Sequence, residues 1–110
     1  MKNINIAKEF SETPLGRFAD DSLYNGTTFR ESFLRPALDA NSKVAVVIDG
    51  VEGYGSSFLE EAFGGLVRKG YYTSGQLAEK LEIRFEDVDF SVYRDLIWKY
   101  INEAKMESKS

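Results

Sequence analysis

The chain changes its hydrophobic period several times, and each change marks an element. Asn3-Ile4-Asn5-Ile6-Ala7 alternates polar and apolar residues and predicts a first strand. Pro14 and Gly16 interrupt it, and Gly16-Arg17-Phe18-Ala19 reads as a short second strand or as extended loop. Asn25-Gly26 is a turn signal. Thr28-Phe29-Arg30-Glu31 then spells a capping box ahead of an apolar stripe, Phe29, Phe33, Leu34, Ala37 and Leu38, at helical spacing. Pro36 lies inside that stripe and is expected to kink the helix or divide it, with an end near Asn41.

Lys43 to Asp49 is apolar and β-branched after its first residue, without polar alternation. It predicts a central strand buried on both faces, with helices on both sides of the sheet. A glycine-rich loop, Gly50 to Gly55, leads to a helix over Ser57 to Lys69, which Gly70 is placed to stop in a left-handed conformation. Thr73 to Lys80 reads as a short helix with a hydroxyl cap, and Leu81-Glu82-Ile83-Arg84-Phe85 as a half-exposed strand. A last helix starts near Phe90 and carries Val92, Leu96, Trp98, Tyr100, Ile101 and Ala104. The order predicts an α/β fold, a small mixed four-stranded sheet with helices packed against it. One domain is expected over residues 1–106, with a frayed tail at 107–110.

Composition narrows the function more than the fold. Apolar residues at 43% and aromatics at 14% suffice for one core in 110 residues. Cysteine and histidine are both absent, which removes thiolate nucleophiles, serine–histidine catalysis and cysteine- or histidine-based metal sites. The net charge of −4 and a longest basic cluster of only Arg68-Lys69 argue against nucleic-acid binding. No apolar run is long enough to span a membrane, so a cytoplasmic location is expected. No cofactor is expected, and the chain reads as non-catalytic.

Candidate chemistry gathers after the central strand, where open α/β sheets bind ligands. Gly53-Tyr54-Gly55-Ser56-Ser57 delivers two hydroxyls to the positive end of a helix. Three readings apply. A phosphate-binding loop lacks its lysine, because Gly55 precedes Ser56, and the dinucleotide pattern lacks its last glycine, because Phe58 stands there. Ser57-Phe58-Leu59-Glu60 is a capping box in its own right. A serine at a helix start is also suited to accept a phosphate.

At 100° per residue, Leu59, Ala62, Phe63, Leu66 and Val67 face the sheet, while Ser57, Glu60, Glu61, Gly64 and Arg68 face away. Gly64, costly inside a helix, is then either a tolerated exposed glycine or a smooth spot for a partner's backbone, rimmed by Glu60, Glu61 and Arg68. Asp49, Glu52, Glu60 and Glu61 are close enough in sequence to suggest a hard cation, but read as solvated surface charge, and Asp20-Asp21 as a polar turn.

The run from Gly50 to Val67 resembles the signature of the STAS-like family of unknown function, small bacterial proteins related to anti-sigma-factor antagonists. Gly16-Arg17, Gly26 to Arg30 and Leu34 to Leu38 resemble the family's earlier segments. The resemblance implies a sheet with helices against it and partner switching with a histidine-kinase-like ATPase that acts as a serine kinase. By position Ser57 matches the phosphoacceptor and Ser56 its neighbour. The antagonists carry an aspartate where this chain has Gly55, and a small glycine where it has Phe58. Gly53, Tyr54, Gly55, Glu60, Glu61, Gly64 and Arg68 are the expected partner-docking residues. A small-molecule or nucleotide-sensing module is the alternative, and homo-oligomerisation through the glycine face is a third arrangement.

Overall fold

The computed structural model describes residues 1–107. Three strands, β1 (Lys2–Asn5), β2 (Val44–Val47) and β3 (Leu81–Arg84), form a parallel sheet in the order β1-β2-β3. The fourth strand is not formed. Residues 16–19 are loop, so the sheet has three strands and is parallel rather than mixed. The first strand is also shorter than its alternation, because Ile6–Phe10 coils into a single wide helical turn capped by Asn5.

Four helices follow from the pattern. Helix α1 spans 26–40, α2 spans 56–68, α3 is Ser74–Lys80 and α4 is Ser91–Glu103, preceded by a 3-10 turn at Val88–Phe90. The predicted hydroxyl cap of α3 is present, with Thr73 and Gln76 exchanging bonds in a capping box. Gly70 ends α2 at φ 77°. The α1 box does not form. Asn25, read as a turn residue, caps the helix by accepting from the Thr28 amide at 2.9 Å. Where Pro36 is expected to kink or divide the helix, α1 runs on to residue 40 and carries a widened π-type turn, Arg30–Leu34, just before the proline.

Pairing places Val44 and Val46 between Leu81 and Ile83 on one side and Lys2 and Ile4 on the other. With Ile48 this face meets the helices. The opposite face carries Asn3, Asn5, Glu82 and Arg84 around Ala45 and Val47. Asn3, Glu82 and Arg84 are exposed, and none of these six belongs to the core cluster. Helices therefore cover one face of the sheet, not two. The apolar run of β2 misleads because polar side chains of the edge strands flank Ala45, small enough to be buried between them.

Helix α2 is the middle of the helical layer, with α1 and α4 both packed against it. Of the apolar residues expected to anchor α4, Ile101 is buried and Leu96, Trp98, Tyr100 and Ala104 are half-buried, while Val92 is exposed; Ile97 supplies the other fully buried contact. Glu107, expected to fray, donates its amide to the Arg68 carbonyl at 2.8 Å, while 108–110 lie outside the described residues.

Two glycines differ in what surrounds them, and Gly26 registers how closely two helices approach. A Cβ on Gly26 would stand 2.9 Å from the Phe58 carbonyl oxygen and 3.1 Å from the Ala62 amide, both backbone atoms of α2. Gly26→Ala is expected to lower stability by about 1–3 kcal/mol, because the crossing helices cannot yield without moving. Exposed Gly75 in α3 has only Thr73 nearby, at 3.9 Å, so Gly75→Ala should raise stability by up to about 1 kcal/mol. Urea midpoints of the two variants check both signs.

Candidate functional site

The loop after β2 is anchored by three devices. Gly50 takes φ 89°, turning the chain where a side chain would press on Ala7. The Tyr54 hydroxyl donates to the Ile48 carbonyl at 2.7 Å, and its ring stacks on Phe58 and meets Tyr93 edge-on at 5.2 Å. Burial pushes the Tyr54 phenol well above its ordinary range, so it is a neutral donor. Asp49, at the end of β2, accepts from the amides of Glu86 (3.0 and 2.8 Å) and Asp87 (2.8 Å) and so ties the next loop to this one.

From this anchored loop α2 begins at Ser56. Its N-cap is Gly55, at φ −77° and ψ 148°, and no side chain caps the helix. The expected Ser57–Glu60 capping box is therefore absent. Ser56 is exposed and Ser57 half-buried, each in the first turn. A Cβ on Gly55 would meet nothing within 4 Å, so the space beside the helix start is open.

The expected outward stripe of α2 is not outward. Residues Glu60–Gly64 form a π-type turn, in which the Gly65 amide reaches back to the Glu60 carbonyl. Such a turn advances less than 100° per residue, so the regular wheel misplaces what it contains. Glu61 is only 3% exposed, and Gly64 is buried against α4, where a Cβ would lie 3.4 Å from the Tyr100 carbonyl oxygen. Gly64 is thus a packing glycine and offers no surface to a partner, or to a second copy of the chain. Tyr54 and Glu61 are also buried. Of the expected docking residues Gly55 is exposed, while Gly53, Glu60 and Arg68 are half-buried.

What fills the site instead is a charge network that the sequence reading missed. Arg30, 2% exposed, donates through Nη1 to the Glu61 carboxylate at 2.7 Å and to the Glu61 carbonyl at 2.6 Å, and through Nε to Glu31 at 2.8 Å. The widened turn frees that carbonyl, since the Gly65 amide, its partner in a regular helix, bonds elsewhere. Arg30 packs against Gly65, where any Cβ would overlap the guanidinium. Arg68 reaches Glu61 at 3.0 Å and pairs with Glu60, while Arg17 pairs with Glu60 and stands 3.5 Å from Glu61. Two glutamates thus meet three arginines. The four acids considered as cation ligands are not gathered for one: Asp49 holds amides, Glu60 and Glu61 hold arginines, and Glu52 is exposed.

Burial alone would push the Glu61 carboxyl up. Hydrogen bonding from Arg30 and the charges of Arg30, Arg68 and Arg17 more than offset this and hold it below the ordinary carboxylate range.

With the geometry in place, comparison with known proteins identifies the class. Residues 25–92, more than half the chain, match the STAS-like domain of unknown function, and the chain belongs to that family. No curated protein and no solved structure matches it. No helix among the described residues is long and apolar enough to cross a membrane.

Since the folded Glu61 titrates lower than the unfolded one, its contribution to stability is complete above the ordinary carboxylate range and is lost as pH falls through the depressed value. Arg30→Met leaves the buried carboxylate to Arg68 and Arg17 and removes the donor to the Glu61 carbonyl, and is expected to cost about 1–3 kcal/mol at neutral pH. It should also flatten the acid limb of the stability profile, because Glu61 then loses the partner that depresses it. Urea unfolding between neutral pH and the acid range measures both effects.

Proposed function

We propose that this protein is a non-catalytic regulatory module that docks a protein partner through loop 50–57 and the start of α2, as anti-sigma-factor antagonists do in partner switching. One observation carries the reading. Ser56 and Ser57 stand at the open start of a helix whose cap is Gly55, and neither hydroxyl caps it. A phosphate there would meet the positive end of the helix macrodipole. The partner is a histidine-kinase-like ATPase acting as a serine kinase, and Ser57 is its acceptor.

Of the residues expected to dock the partner, Gly53, Glu60 and Arg68 are half-buried. A loop held by Tyr54 and Asp49 is pre-organised for a partner, so little ordering opposes association.

Intact-mass spectra of protein from its native cell, across growth and starvation, should show a single phosphoryl group that Ser57→Ala removes. Gly55→Trp projects into open space and should abolish partner binding while changing stability by no more than about 1 kcal/mol. Absence of the phosphoryl group under every condition, with binding intact in Gly55→Trp, would sink the proposal. A thermal-shift series with nucleotides and phosphate esters separates it from ligand sensing: stabilisation by one of them, lost in Gly55→Trp, would favour the sensing module.

A further inference from the structure

Four of the eight large apolar side chains exposed among the described residues fall within residues 15–24. Leu15 is 57% exposed, Phe18 54% and Leu23 77%, with Tyr24 at 41%. In a floppy loop they would need no explanation. This loop is fixed along its length. The Leu15 amide donates to the Tyr24 carbonyl at 3.0 Å, the Gly26 amide to Gly16 at 2.9 Å, and the Thr27 amide to Arg17 at 3.0 Å. Asp21 accepts from the amides of Arg17 and Phe18 at 3.0 and 3.1 Å, and the Ser22 hydroxyl accepts from the Tyr24 amide at 2.9 Å. The Tyr24 ring also rests edge-on against Phe10 at 5.6 Å. An ordered loop that holds apolar side chains in water is pre-organised to lose that water to something else.

Position and charge say what that something is. Arg17 joins the loop to α2 through Glu60, and the Glu52 amide donates to the Glu12 carbonyl at 3.3 Å. The segments 11–25 and 50–57 therefore adjoin. The apolar side chains are accompanied by exposed Glu12, Asp20, Asp21 and Glu52. Arg17, the one cation in 11–25, is taken by Glu60 and Glu61.

The geometry points to loop 11–25 as a second half of the docking surface, fitted to a protein partner that offers an apolar patch rimmed by lysine and arginine. The inference deepens the reading above and rests on it for there being a protein partner. Charge complementarity of this kind steers encounter and rejects wrong partners. A second copy of the chain is disfavoured, since two-fold pairing sets each carboxylate near its own copy and the net charge of −4 adds to the repulsion. The same acids repel anionic lipid and nucleic acid.

A photo-crosslinker at Leu23 in the full chain, in its native cell, is expected to give a discrete adduct that one at exposed Lys99 of α4 does not. The adducted protein, purified, should bind Phe18→Ser/Leu23→Ser roughly ten-fold or more weakly than the wild type. Glu12→Lys/Asp20→Lys should weaken it too, and binding should fall as salt rises. These side chains lie at the surface, so an unchanged melting temperature shows that each variant is folded. No adduct at Leu23, the same adduct from Lys99, an adduct that is a second copy of this chain, or an affinity indifferent to the substitutions overturns the inference. Gly55→Trp distinguishes the two readings. A partner lost in Gly55→Trp but indifferent to Phe18 and Leu23 leaves helix-start docking standing and removes this surface. The reverse pattern retains this surface and removes docking at the helix start.

Discussion

Arg30 donates to both the carboxylate and the backbone carbonyl of Glu61, and the packing of the helices follows from that contact. A buried guanidinium is tolerable only when its donors and the neighbouring charge are satisfied together. Here one side chain does both, because the widened turn in α2 leaves a carbonyl without its helical partner and Arg30 supplies one. The arrangement dictates small residues around it. Gly65 must leave room for the guanidinium, and Gly26 must let the start of α1 approach the backbone of α2. Replacing the pair with apolar residues of the same shape would not reproduce this, since the freed carbonyl would then be buried without a donor.

The network spreads from that pair. Arg68 carries it toward the end of α2 and to Glu107, and Arg17 carries it to the loop that follows β1. Charges that read as a solvated stripe are thus contacts between segments distant in sequence. A helix with one regular face exposed would have left Glu61 and Gly64 in water. The π-type turn rotates them inward, and α4 closes over the result.

Much of the fold was legible because local rules act alone where tertiary demands are weak. The alternation of β3, the Thr73 cap and the Gly70 stop all lie where the sequence pattern and the environment agree. Two capping boxes failed for one reason. Glu31 and Glu60, the acids those boxes needed, are drawn instead to arginines, and Asn25 and Gly55 take the caps. The sheet misled in a different way, since polarity of one face is set by the edge strands and β2 alone does not reveal it. Of the candidate site, the loop after β2 and the two serines at the start of α2 stand where the sequence pattern puts them. Arg17 and Arg30 were not, although both lie in segments that carry the family resemblance. A signal was present in Glu61 itself, a carboxylate directly followed by Ala62 and Phe63 in a helix that the sheet and two other helices surround.

The division of α2 constrains how any partner can use it. From Glu60 onward, Glu61 to Leu66 are buried without a break, and Glu60 and Arg68 are committed to each other. The most open part of α2 is its start, where Gly55 and Ser56 are exposed and Ser57 is half-buried. Recognition along the helix face would require α4 to leave, at the expense of the buried Ile97 and Ile101. The loops at the carboxyl ends of the strands ask for no such rearrangement. They are fixed by Asp49, Tyr54 and Arg17, all of which bond inward, so what they expose is available to a partner without disturbing what holds the fold together. Rigid support beneath an open surface is the condition under which a small domain without a deep cleft binds selectively, because the complementary shape exists before the partner arrives.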